Sequence, residues 1–184
     1  QLNNKENTMT NSPQTTYLKD YQPLDISFSK IFLDCTIHND YILIKATSTI
    51  KSKLETPATL ILNGENLECL KINHNHTTLT KTQYTLTKET LTLLNISNND
   101  TLEITTKIYP KKNTELEGIY QSNQLICSQN EPEGFRRITY YIDRPDNMAI
   151  FTTKITADKT LFPILLSNGN LIEKEELDNN QHIA

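Results

Sequence analysis

An all-β fold, a β-sandwich, is the architecture that this 184-residue chain predicts. Three observations carry it. Apolar and polar residues alternate with period two through almost every segment, Asn-rich and Asn-Gly turns fall between the alternating runs, and no long helical periodicity occurs. Period-two alternation puts one face of a strand on a core and the other in water. Short strands separated by turn signals at intervals of about 8–12 residues then point to a sandwich or barrel.

Taken in order, residues 1–16 hold almost nothing apolar and are expected to form a disordered leader, with a single domain over residues 17–184. Ile26 and Phe28 alternate with Ser27 and Ser29, and Ile31 and Leu33 resume after a phase break near Lys30. Ile42, Ile44, Ala46 and Ser48 alternate with Tyr41, Leu43, Lys45 and Thr47. Further strands are expected over 59–62, 67–72, 84–87, 90–96, 101–109, 149–157, 164–167 and 171–175, where Thr, Ile, Leu and Tyr suit a pleated, half-buried surface. Asn63-Gly64 and Asn168-Gly169 each sit between apolar runs and are expected to close type I′ hairpins, which need two positive φ angles. Asn98-Asn99-Asp100 and Asp178-Asn179-Asn180 are further polar turns. A short helical turn is expected near residues 132–138, since Glu131-Pro132-Glu133 places proline and acids at a helix start.

Composition bounds the function. A chain of this length can bury about 70% of the surface it exposes when unfolded, so it needs no disulfide or metal to fold. Its 18 Lys and Arg against 22 Asp and Glu leave a net charge of −4, which argues against a nucleic-acid partner because no basic excess is available for phosphates. Three widely spaced cysteines (Cys35, Cys69, Cys127) among apolar neighbours give no disulfide framework and are expected to be small buried hydrophobes in a reducing compartment. No run approaches the length of a membrane span and the first residues lack a signal-peptide core, so a cytoplasmic location is expected, with no membrane partner.

Catalytic motifs are sparse. His74-x-His76 has a spacing that binds zinc, but no third ligand lies near it in sequence and its neighbours are Asn and Thr, so an exposed loop is the expectation. There is no H-E-x-x-H, no G-x-S-x-G, no phosphate-cradling Gly-rich loop, and no cysteine with a plausible catalytic histidine partner. One stretch breaks the strand pattern. Between Gln121 and Asp146 alternation dissolves, while acids, Arg, aromatics, Gly and Pro accumulate. Loops that carry function have this composition, and so does a packed crossover in which Arg136 or Arg144 pairs with Asp143.

The same region carries a resemblance. The run Asn113-Thr-Glu-Leu-Glu-Gly-Ile-Tyr-Gln-Ser, followed by Glu133-Gly-Phe-Arg-Arg-Ile-Thr-Tyr-Tyr-Ile-Asp-Arg-Pro-Asp, resembles the N-terminal domain of the bacterial aminopeptidase N family. Leu62-Asn-Gly-Glu-Asn-Leu, Phe151-Thr-Thr-Lys-Ile-Thr-Ala-Asp-Lys and Leu165-Leu-Ser-Asn-Gly-Asn extend it, over about Tyr17 to His182.

That resemblance implies a saddle-shaped β-sandwich docked on the thermolysin-like catalytic domain of the same polypeptide, in a four-domain zinc exopeptidase. The family's zinc ligands and G-x-M-E-N loop belong to the second domain and are absent here. The chain itself is therefore expected to hold no cofactor, with zinc expected in the full-length enzyme, and to be inactive alone. The family's Cys-x-Gln-x-Glu stretch matches Cys127-Ser-Gln-Asn-Glu. By that match Glu131 would bind the α-ammonium of the peptide substrate and Gln129 would line the pocket for its first side chain. Asn130 stands where some relatives have a second cysteine. Family members also continue past Gln181-His-Ile-Ala, which implies that the last strands of the sandwich are missing here and leave an edge open to association. A free-standing β-sandwich module that binds protein or glycan through its loops fits composition and periodicity equally well.

Overall fold

The computed structural model describes residue 15 and residues 17–184, so the expected leader over residues 1–16 lies, Thr15 apart, outside the described residues. The chain folds into strands β1 (Ile26–Ile37), β2 (Ile42–Ser52), β3 (Ala58–Asn63), β4 (Glu68–His74), β5 (Thr77–Thr78), β6 (Tyr84–Leu86) and β7 (Thr90–Ile96). It continues through β8 (Thr101–Ile108), β9 (Gly118–Ser122), β10 (Leu125–Gln129), β11 (Ile150–Asp158), β12 (Glu175–Glu176) and β13 (Gln181–Ile183). An eight-stranded sheet runs β12-β13-β11-β1-β2-β8-β4-β5, a three-stranded sheet runs β3-β7-β6, and β9 with β10 forms a separate hairpin.

The two larger sheets bury their facing sides in one core. On β2, Ile42, Ile44, Ala46 and Ile50 point inward, and on β8 Leu102, Ile104 and Ile108 do the same, in the alternation read from the sequence. Leu60 and Leu62 of β3 meet them from the other sheet, with Leu91, Leu93 and Ile96 of β7. The phase break near Lys30 is a β-bulge: the β1–β2 register shifts between Phe28 and Lys30, so both Phe28 and Ile31 reach the core. β1 pairs antiparallel with β2 on one side and parallel with β11 on the other. A parallel neighbour needs a crossover, and residues 130–149 form part of it.

Several expected turns come out differently. Asn63-Gly64 closes no hairpin, because β3 pairs with β7 and Asn63 instead exchanges backbone hydrogen bonds with Tyr141 at 2.7 and 3.0 Å. Gly64 answers a demand for space, since a Cβ there would lie 2.2 Å from Cε1 of Tyr140. Asn168-Gly169 sits in an irregular run, and residues 164–167 and 171–174 form no strand. Alternating residues without a partner strand gain nothing from extended pairing, and Ile164, Leu166, Leu171 and Ile172 are left exposed. Consecutive left-handed residues occur instead at Asn75 and His76 (φ 47° and 65°), between β4 and β5, and at Asn179 and Asn180 (φ 58° and 62°), in the turn that joins β12 to β13.

The helical turn appears as a 3-10 turn over Phe135–Arg137. Among the three thiols only Cys35 is fully buried, while Cys69 and Cys127 are half-buried, and all three are free. Burial pushes the Cys35 thiol up to about 12. His74 ends β4, and His76 lies in the following turn with φ 65°, so the pair does not share a strand face. No described helix is long and apolar enough to cross a membrane.

Candidate functional site

The region whose alternation dissolves is built on the β9–β10 hairpin. Its two-residue loop is Asn123-Gln124, with Asn123 at φ 53°, and register runs from Leu125 opposite Ser122 to Gln129 opposite Gly118. Sequence reasoning missed this hairpin because polar residues occupy both faces near its tip, so period two is faint there. Its one local signal is Asn123. Gly118 at the base adopts φ +70°, and a Cβ on it would lie 2.6 Å from Cβ of Arg137, so the hairpin sits directly on the 3-10 turn.

Gln129 is the last residue of β10, and Glu131 follows two residues later at the start of a tight turn. The backbone N–H of Gly134 donates to the carbonyl of Glu131 at 2.6 Å and closes that turn. Pro132 after Glu131 disfavours helical backbone at Glu131. Both Gln129 and Glu131 are exposed, and among the described residues neither side chain has a hydrogen-bond or ionic partner. The two candidates are thus brought together on one loop, with their polar groups uncommitted.

The loop is anchored to the core from its far side. Asp143 Oδ2 accepts hydrogen bonds from Arg136 Nε at 2.8 Å and from the Arg136 amide at 3.1 Å. A second nitrogen of the Arg136 guanidinium reaches Glu133 Oε2 at 2.9 Å. Desolvation works against the Arg136 charge, but Asp143, Glu133 and Glu65 outweigh it and leave the guanidinium pKa raised. Of the two pairings open in the sequence, Arg136 takes Asp143, while Arg144 pairs with Asp146 at 2.7 Å. Arg137 spans Glu65 and Glu117 at 2.8 and 3.3 Å.

Behind these ion pairs, Phe135 packs edge-on against Tyr141 (centroids 4.7 Å) and Phe151 (5.7 Å). Thr106 Oγ1, buried on β8, donates to the carbonyl of Ile138 at 3.1 Å, and buried Asn147 donates to Ile142 and accepts from the Phe28 amide. An apolar groove of about 700 Å³ opens beside the loop. Leu33, Ile126, Phe135, Phe151 and Ile155 line it, with Ser128 and Asn130 at its wall and Leu166 from the irregular strap over residues 161–174.

The Peptidase M1 N-terminal domain model matches residues 19–184. The chain belongs to the peptidase M1 N-terminal domain family. This M1 domain is 41% identical over 177 residues to aminopeptidase N of Escherichia coli, which covers 95% of the chain and 20% of that enzyme. It is 39% identical over 167 residues to aminopeptidase N of Haemophilus influenzae, covering 90% of the chain and 19% of that enzyme. The chain thus spans about a fifth of the length of these relatives.

Among solved structures, aminopeptidase A of Legionella pneumophila, in complex with aspartic acid, superposes with a TM-score of 0.82 at 35% identity, over 91% of this chain and 20% of that one. An M1 zinc metallopeptidase variant from Deinococcus radiodurans, bound to a Tyr-Ser-Ala substrate, superposes with a TM-score of 0.71 over 86% of this chain and 38% of that one. At 15% identity it shares the fold.

Proposed function

We propose that this M1 domain is the N-terminal part of a zinc-dependent aminopeptidase N that removes N-terminal residues from peptides. In that enzyme Glu131 binds the substrate's α-ammonium, Gln129 lines the pocket for the first side chain, and the domain packs against the catalytic domain of the same polypeptide. The observation that carries the proposal is the exposed, uncommitted Glu131 carboxylate, held on a braced loop beside an apolar groove in a chain of this family.

The chemistry suits an exopeptidase, which must tell a free N-terminus from an internal amide. A carboxylate that meets an ammonium in a partly desolvated cleft contributes about 1.5–3 kcal/mol. An internal amide offers no charge to pair with it, and leaves the carboxylate desolvated and alone.

Zinc fits this chain poorly. Among the described residues no group of three or more His, Cys, Asp or Glu side chains is gathered to hold a metal ion. No catalytic step is therefore routed through a metal here, and the chain is proposed to be inactive alone. Docking is proposed for the groove and the strap over residues 161–174, whose Ile164, Leu166, Leu171 and Ile172 are exposed. The relatives' five-fold greater length supports the rest of such a polypeptide as the covering partner.

The test is steady-state hydrolysis of alanyl-p-nitroanilide. The 184-residue chain is expected to show none. In the full-length polypeptide Glu131→Gln is expected to raise KM and lower kcat/KM about 10- to 100-fold while bound zinc, read by atomic absorption, stays unchanged. Hydrolysis by the isolated chain, or unchanged kinetics in the variant, would contradict the proposal.

A further inference from the structure

We infer that Asp143, through Arg136 and Gly134, is the positioning device of the loop that carries Gln129 and Glu131. The inference rests on the proposal that Glu131 meets the substrate ammonium. The loop has two carboxylates, Glu131 and Glu133, and the 3-10 turn after it has two guanidinium groups, of which Arg137 is held by Glu65 and Glu117 and Arg136 faces the loop's own acids. Arg136 takes Glu133 at 2.9 Å and Asp143 at 2.8 Å, and leaves Glu131 without an ionic partner among the described residues.

Asp143 is what makes this assignment hold. Its side chain is 9% exposed, and its Oδ2 fixes both the amide and the Nε of Arg136. Its own amide donates to Asn63 Oδ1 at the end of β3, which ties the pair to the three-stranded sheet. Without the Asp143 charge, the guanidinium would be free to swing toward Glu131 and neutralise the group that must face an ammonium. Release of Glu133 would also set a second, misplaced carboxylate two residues away, in competition for the same cation.

Gly134 transmits the position. It is buried, donates to the Glu131 carbonyl, and has the loop backbone lying on it. An added Cβ would stand 3.0 Å from the Glu131 carbonyl oxygen, 3.1 Å from that of Gln129 and 3.3 Å from Cα of Asn130. Its φ of −92° is open to any residue, so alanine there strains no torsion and only pushes residues 129–131 outward by a few tenths of an ångström. Misplacement of 1 Å at a reacting centre costs about 100-fold, so a smaller displacement is expected to cost several-fold.

The experiment measures KM and kcat of the full-length polypeptide on alanyl-p-nitroanilide for Asp143→Asn, Gly134→Ala, Glu131→Gln and the two double variants with Glu131→Gln. Asp143→Asn is expected to raise KM about ten-fold and Gly134→Ala about three-fold, with kcat changed less and the thermal midpoint of Gly134→Ala near that of the parent. In the Glu131→Gln background neither substitution is expected to raise KM further, because both act through that carboxylate. Losses that multiply in the double variants, or single variants with unchanged KM, would overturn the inference while the role of Glu131 stood. Glu131→Gln with unchanged KM would overturn that role and the inference with it. Should Asp143→Asn fail to fold, Gly134→Ala alone decides between these outcomes.

Discussion

Glu131 is defined as much by what it does not touch as by where it sits. Around it, Glu133, Glu65 and Glu117 are drawn into pairs with Arg136 or Arg137, so the loop presents one uncommitted acid. Its candidacy was legible in the sequence through the Cys127-Ser-Gln-Asn-Glu stretch. Its isolation was not, because Glu131 and Glu133 flank Pro132 and only folding decides which one Arg136 takes. Gly64 makes the same point from the opposite direction. The Asn-Gly pair looks like a turn signal, yet its glycine serves the Tyr140 ring, which packs 2.2 Å from where a Cβ would stand. Gly64→Ala is accordingly expected to destabilise the fold by about 1–3 kcal/mol through overpacking, seen as a lower urea midpoint with an unchanged slope.

At the scale of elements, the strands that bury one regular face were the legible ones. β2 and β8 alternate cleanly, β7 does so up to Leu93 before an irregularity at left-handed Asn95, and even the bulge in β1 left its mark as a phase break near Lys30. Segments 164–167 and 171–175 carry a similar pattern but lie in an irregular strap, with only the two-residue β12 at its end, because strand formation is settled by partners rather than by alternation alone. Turns are held by specific polar groups. At the β7–β8 turn, Asp100 accepts from the Ser97 amide at 2.7 Å and from Asn75 Nδ2 at 2.7 Å, and lies 2.7 Å from His74 Nε2. Desolvation pushes this carboxyl up, but the hydrogen bonds from Asn75, Ser97 and His74 outweigh it and hold it below its ordinary value of 3.8. A carboxyl depressed by folding adds stability that is present above its unfolded pKa and lost as pH falls through the folded one. Asp100→Asn is therefore expected to lower the urea midpoint at pH 7, and the gap to the parent is expected to close as the pH falls below the ordinary value of 3.8 and through the lowered folded one. A gap of constant size would show that the charge contributes nothing.

For the whole molecule, the sandwich is a frame that holds one loop. Two sheets share a core, the crossover over residues 130–149 is tied into it by Ile138, Tyr140, Tyr141 and Ile142, and the loop with Gln129 and Glu131 projects from that tied segment beside the apolar groove. The family match and the sequence agree on an M1 N-terminal domain that spans about a fifth of its relatives. On the proposed function, the frame serves by what it presents to the rest of an aminopeptidase, so the decisive measurement concerns recognition of a free N-terminus. It is the ratio of kcat/KM for alanyl-p-nitroanilide to that for N-acetylalanyl-p-nitroanilide, taken for the full-length polypeptide and for its Glu131→Gln variant. If Glu131 reads the ammonium, the substitution lowers that ratio by about 10- to 100-fold through loss on the free amine. A ratio unchanged by Glu131→Gln would contradict the account.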